Sequence, residues 1–194
     1  VAEAVVRGGY PEPNTRTEQR AQQWYRQYLN AIIQRDVRDI ANIRDADELL
    51  RLLKLIALRT GNLVNISNLT QDIGLQRDTI GRYLSLLERL FLIRTLPAWH
   101  RNAAKRLIKA PKIHIIDSGL GCALTGLKTA DWHQPDKSFG GMLESFVVQQ
   151  LICQSGWVDN ELHFSHYRDK DQVEVDLVIE QGERLWGVEI KKAA

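Results

Sequence analysis

Apolar positions fall at helical spacing through most of this chain and alternate with polar ones in its last quarter. Trp24, Tyr25, Tyr28, Ile32 and Ile33 form an i, i+4, i+8 stripe. They predict a helix capped by Thr15 or Thr17, with Glu18 in its first turn and an end near Arg35-Asp36. A short helical segment resumes from Asp36 to Ile40. Leu49, Leu52, Leu53 and Ile56 make the inner face of a helix from Asp47 to about Arg59, which Gly61-Asn62 breaks. Ser67 caps a short helix, Asn68 to Ile73, and Gly74 ends it. The next helix starts at Arg77 and turns Ile80, Leu84 and Leu87 inward; Phe91 to Leu96 reads as a strand. Ile113-His114-Ile115-Ile116 is a buried strand, and Asp117 caps a helix from Ser118. After a polar loop over 125–140, Leu143, Phe146, Val147 and Leu151 stripe another helix. Leu162 to Arg168 and Glu174 to Ile179 are strands joined by Asp169-Lys170-Asp171-Gln172, and Gly182 leads to a third strand, Val188 to Lys191.

This order is α/β. Residues 1–45 are a helical lead-in; 46–97, with helix, short helix, Gly turn, longer helix and strand, read as a winged helix-turn-helix; 98–194 form an α/β part. In a DNA reader the longer helix would present Arg77, Thr79, Arg82 and Tyr83 to a major groove, against the opposing charges of Asp72 and Asp78. The span 46–97 holds seven Lys/Arg and five Asp/Glu, so DNA contact and protein contact both stay open.

A formal charge of +2 over 194 residues carries no argument for nucleic acid across the whole molecule. Locally it is different. From Arg89 to Ile116 the chain has seven cations and no acid: Arg89, Arg94, Arg101, Lys105, Arg106, Lys109 and Lys112, with Trp99 and His100 among them. That is the composition of a phosphate-contacting surface, or of a solvated hairpin paired with acids elsewhere. Cys122 and Cys153 lack metal-ligand spacing and read as buried reduced thiols. No charged-then-apolar leader opens the chain and no apolar run approaches a membrane span, so a cytoplasmic, non-membrane protein of open oligomeric state is expected.

The candidate chemistry lies on the last strands. Glu189 and Lys191 share one strand face, and Asp176 reaches it from the neighbouring strand. Glu144, near its helix start, can point at the same strands. Carboxylates and an ammonium so arranged suit metal-assisted phosphodiester hydrolysis, or simply the solvated face of a strand. His114 reads as a core histidine; His163 and His166, three positions apart, face opposite sides of their strand, and Trp132-His133 has no metal partner.

Glu144 on a helix, Asp176 on a strand and Glu189-Ile190-Lys191 on the next resemble the PD-(D/E)XK restriction-endonuclease-like fold. A fuller resemblance is to a domain of unknown function found C-terminal to bacterial and archaeal AAA+ ATPase modules. Arg7-Gly8-Gly9-Tyr10-Pro11-Glu12, Tyr28-Leu29 with Arg35-Asp36-Val37, Lys112 through Leu120, and Gly141-Met142-Leu143-Glu144 carry it. The resemblance implies that residues 98–194 are a C-terminally incomplete nuclease-like domain, and that an ATPase module lies upstream, since no phosphate-binding Gly-Lys-Ser/Thr loop occurs here. It implies Mg²⁺ or Mn²⁺ on Asp176 and Glu189, Lys191 as the fixed cation and Glu144 as a further carboxylate. Val175 stands where the endonuclease motif often has Pro. DNA contacts would come from Arg77, Thr79, Arg82, Arg94, Arg101, Lys105, Arg106 and Lys109. Two other outcomes are a non-catalytic DNA- or protein-binding module serving the ATPase, and a winged-helix transcriptional regulator.

Overall fold

A computed structural model of the chain describes residues 1–33, 35, 46–134, 139–158 and 161–192. Its elements are α1 (Ala2–Arg7), α2 (Pro11–Asn14), α3 (Glu18–Ile32), α4 (Ala46–Leu58), β1 (Asn62–Leu63), α5 (Ile66–Ile73), α6 (Arg77–Arg89), β2 (Ile93–Leu96), α7 (Ala103–Ile108), β3 (Lys112–Ile115), α8 (Ser118–Thr125), α9 (Gly140–Ser155), β4 (His163–Arg168), β5 (Glu174–Gln181) and β6 (Arg184–Val188). The architecture is mixed α/β with two antiparallel sheets of order β1-β3-β2 and β4-β5-β6. The short helix expected from Asp36 to Ile40 lies outside the described residues.

The helices bury the stripes their spacing predicts. Leu49, Leu52, Leu53 and Ile56 of α4 are all buried, each contributing roughly 1.5–3 kcal/mol by leaving water. On α3 the buried line is Ala21, Tyr25, Leu29 and Ile32, while Trp24 and Tyr28 lie half-buried and stacked, their centroids 5.1 Å apart. Thr17 holds the N-cap position without a side-chain hydrogen bond. Helix α5 is capped by Asn65, whose side chain accepts from Asn68 N–H, not by Ser67; the helix starts two residues sooner than the polar residues indicate, and Ile66 packs against the core. Gly74 closes it at φ 79°, a conformation a β-carbon would strain. The strand expected from Phe91 begins only at Ile93. Phe91 takes φ 55° in the turn after α6 and is exposed.

β3 is central in the first sheet. Its Ile113 pairs with Asn62 of β1 on one side and Thr95 of β2 on the other. Asp117 then caps α8 by accepting from Leu120 N–H, and also accepts from Gly9 N–H, which ties the lead-in to the strand end. The β4–β5 hairpin forms with its turn at 169–172, and β5 pairs onward with β6. Helix α9 brackets the two sheets: its Val148 packs with Leu96 of β2 and Leu177 of β5. The sheets also touch directly, where Trp99 N–H donates to His166 O and His166 N–H donates to Pro97 O. Among the described residues no helix is long and apolar enough to cross a membrane. Cys122 is buried, but Cys153, on the outer side of α9, is exposed.

Candidate functional site

A lysine at the start of a buried, apolar strand organises the charged site. Lys112 opens β3 between Leu63 and Leu96 and is 1% exposed. An ammonium so placed must find counter-charges. Its Nζ stands 2.8 Å from Glu144 Oε1, 2.5 Å from Glu174 Oε1 and 3.2 Å from Asp176 Oδ1. Glu174 and Asp176 reach it together because strand side chains alternate, putting residues two apart on one face. Glu144 comes from the first turns of α9, held close by Gly141, where a β-carbon would lie 2.1 Å from Thr60 O.

The remaining valences are largely filled. Asp176 Oδ2 accepts from Ile190 N–H at 2.9 Å, and Arg168 Nη1 lies 3.7 Å from Glu174 Oε2. Burial works against the Lys112 charge, but hydrogen bonds to Glu144 and Glu174 outweigh it and raise its pKa. Burial pushes Glu144 up to about 7 despite the ammonium beside it, so this carboxyl titrates near neutrality. Glu144 also lines a cleft of about 490 Å³ with Thr60, Gly61, Asn62 and Gly141.

Behind the cluster runs a neutral hydrogen-bonded chain. His114 Nδ1 meets Ser145 Oγ at 2.9 Å, Ser145 Oγ meets Thr60 Oγ1 at 2.7 Å, and Thr60 Oγ1 accepts from Ile115 N–H. Burial, with the Lys112 charge next, pulls His114 down to about 3, which keeps it neutral. Its Nε2 has no hydrogen-bond partner and lies 3.9 Å from Glu144 Oε1. His166, buried at the sheet junction with Nε2 on Ala110 O, is pulled down to about 4 by burial; it does not approach the exposed His163.

Of the four residues expected to form the reactive constellation, Glu144 and Asp176 converge. Glu189 and Lys191 do not join them. β6 ends at Val188, so the expected strand stops short of both residues, and they form an ion pair with each other on the surface, Lys191 being 77% exposed. Lys112 and Glu174 stand beside Glu144 and Asp176 instead, and neither was expected there. A lone lysine within Lys112-Ile113-His114-Ile115-Ile116 was the available signal, since such a residue needs partners wherever its strand is buried.

This donor set does not fit the divalent cation that the nuclease resemblance implies. Asp176 is committed to Lys112 and Ile190, Glu189 faces Lys191, and among the described residues no group of three or more His, Cys, Asp or Glu is arranged to hold a metal.

The basic candidates divide in two. Arg77 and Arg82 are exposed on α6, opposite the buried Ile80, Tyr83, Leu84 and Leu87; Thr79 is half-buried and accepts from Arg82 at 3.4 Å. Arg101 and Lys105 are exposed as well. The other three are engaged internally. Arg94 donates to Gln149, Arg106 makes a bidentate pair with Glu180 at 2.6 and 3.0 Å, and Lys109 donates to Arg168 O. Asp72 is taken by Arg59 at 2.6 Å, leaving Asp78 as the exposed acid beside Arg77.

Residues 1–131 match the domain of unknown function DUF8612, and residues 139–194 match a second domain of unknown function, DUF4143. Uncharacterized proteins of Mycobacterium bovis and Mycobacterium tuberculosis are each 28% identical over 97% of this chain, which covers 42% of their length. An uncharacterized protein of Haemophilus influenzae is 23% identical over 94% of the chain and 44% of its own length. The chain therefore spans less than half of these relatives. No solved structure matches it.

Proposed function

We propose that this chain, which belongs to the DUF8612 family of unknown function, is a duplex-DNA-engaging region that couples DNA contact to the rest of a longer protein. The carrying observation is the layout of α4, β1, α5, α6, β2 and β3 with sheet order β1-β3-β2, which supports a winged helix-turn-helix whose third strand is β3. In this reading α6 is the groove-facing helix. Its inner side is fixed by Ile80, Tyr83, Leu84 and Leu87, so Arg77 and Arg82 are left outward to meet phosphates or base edges. Lys112 has a structural role, clamping α9 and β5 onto the central strand of the DNA-contacting part. The AAA+ ATPase partnership implied by the resemblance is consistent with relatives more than half of whose length lies outside the match.

The test is fluorescence anisotropy of a labelled duplex titrated with this chain at several salt concentrations. Saturable binding that weakens with salt and falls in Arg77→Ala/Arg82→Ala supports the reading; no binding at low salt sinks it.

A second reading rests on a different observation. Glu144 Oε1 and Asp176 Oδ1 converge on one point, as the halves of a PD-(D/E)XK-like site would, with Lys112 standing where Lys191 was expected. Incubation with supercoiled plasmid and Mg²⁺ or Mn²⁺ separates the two. Because Lys112 Nζ occupies that point and the donor set does not fit a divalent cation, no nicking by wild type, Asp176→Asn or Lys191→Ala is expected, which leaves the binding module. Nicking lost in Asp176→Asn and retained in Lys191→Ala would overturn this in favour of a nuclease built around Lys112.

A further inference from the structure

The connection from β2 to β3 carries α7 with its amphipathicity reversed. Arg106 turns inward, bidentate on Glu180, donating to His100 O and lying 5.6 Å from the Trp99 ring centroid. Leu107 and Ile108, which would ordinarily fill such a position, face solvent at 88% and 82% exposure. This is not a loose loop. Its first arm is tied to β4 through Trp99 N–H on His166 O and His166 N–H on Pro97 O. Its second arm is tied through Lys109 Nζ on Arg168 O and His166 Nε2 at Ala110 O. Asn102 caps the short helix by accepting from Ala104 N–H. A held pair of large apolar side chains in water marks a contact surface. Arg101 and Lys105 precede the pair by a few residues, both exposed, and no acidic residue occurs from Arg89 to Ile116.

We propose that Leu107 and Ile108 are a wedge that enters the minor groove of duplex DNA between base steps, with Arg101 and Lys105 gripping the flanking phosphates. The inference rests on the DNA-binding reading and extends it from contact to deformation. Charge complementarity selects the partner: the tip offers cations for a polyanion and apolar groups for unstacked bases, the combination by which minor-groove proteins kink DNA. Two adjacent side chains on a helix of six residues are a small area for a lipid surface, but enough to separate one base step.

The test uses this chain with a duplex of about 30 base pairs, A·T-rich at its centre and carrying a donor and an acceptor dye at its ends. Wild type should bind and raise energy transfer by bending the duplex. Leu107→Ala/Ile108→Ala should bind within about threefold of wild type at low salt yet leave energy transfer at its unbound value. Arg101→Ala/Lys105→Ala should weaken binding roughly tenfold and flatten its salt dependence. All four side chains are exposed, and unchanged circular dichroism verifies the fold of each variant. Binding without bending by wild type, or equal bending by the Leu107→Ala/Ile108→Ala protein, overturns the wedge while leaving the DNA-binding reading standing. Sedimentation of wild type, but not of that variant, with phosphatidylserine vesicles, in the absence of bending, overturns it in favour of a lipid surface. Absence of any duplex binding removes both readings together.

Discussion

Lys112 Nζ lies 2.8 Å from Glu144 Oε1, and through this contact the central strand of the first sheet is fastened to the helix that brackets both sheets. Glu174 and Asp176 extend the fastening to β5. Three carboxylates share one ammonium, so the unit is sensitive to loss of its centre and tolerant of loss at its edge.

Replacing Lys112 with Met should therefore destabilise the chain by about 3–5 kcal/mol, the usual consequence of leaving buried charge without its partner. Urea denaturation measures it. Adding Glu144→Gln in the same chain should recover part of the loss, because it removes one of the stranded carboxylates. A loss below about 1 kcal/mol would place the ion cluster among ordinary surface pairs.

Stability should respond to pH in two opposed ways. Glu144 is raised to about 7 in the folded chain from an ordinary value of 4.5, so its contribution is full below 4.5 and disappears as pH rises through about 7. His114 and His166 are lowered from 6.5 to about 3 and about 4, so theirs is full above 6.5 and disappears as pH falls through those values. In melting curves from pH 4 to 8, Glu144→Gln should gain on wild type steadily as pH rises. A constant offset between the two proteins would mean that Glu144 does not titrate in this range.

Gly141→Ala should cost about 1–3 kcal/mol or more, since the new methyl would meet Thr60 O at 2.1 Å and push α9 off the strand. Gly140→Ala, with open space around the added carbon, is the control and should be close to neutral. Thermal melts of the pair isolate the close approach from helix propensity.

Arg77→Ala and Arg82→Ala should each reduce the salt slope of duplex binding by about one if each contacts a phosphate. If either contacts a base edge instead, affinity should fall by about 1–3 kcal/mol on the preferred sequence and much less on others. Competition between two duplexes distinguishes these cases.

Several signals in the sequence that act within a few residues were reliable, although the Ser67 cap and the strand start at Phe91 were not. The α4 stripe, Gly74 at the end of α5, Asp117 at the start of α8 and the β4–β5 hairpin follow from spacing, backbone conformation or capping chemistry within a few residues. The site was half legible for the same reason. Asp176 and Glu144 stand beside apolar runs that carry them inward, but Lys112 meets Asp176 across 64 positions of chain. No period in the sequence records that meeting. Lys191 read as the site's cation because strand alternation was carried past Val188, where the pairing with β5 stops. The two-residue strand β1 is too short to leave a pattern, yet it makes β3 central. Cys153 was expected inside because its neighbours are apolar, but α9 is apolar nearly all round and buries only part of its circumference.

The docking of α1 against α8 bears on when this chain acquires its shape. Val5 and Val6 are fully buried, Gly9 N–H donates to Asp117, and Val5 O faces the Cys122 thiol from 117 positions away. During synthesis α1 therefore has no completed surface to dock on until the strand and helix around Asp117 have been made. Until then its two valines stay open to water and to other chains. Contacts of such separation slow folding. A refolding trace should show the helix-rich middle of the chain gaining structure first, with the lead-in arriving last.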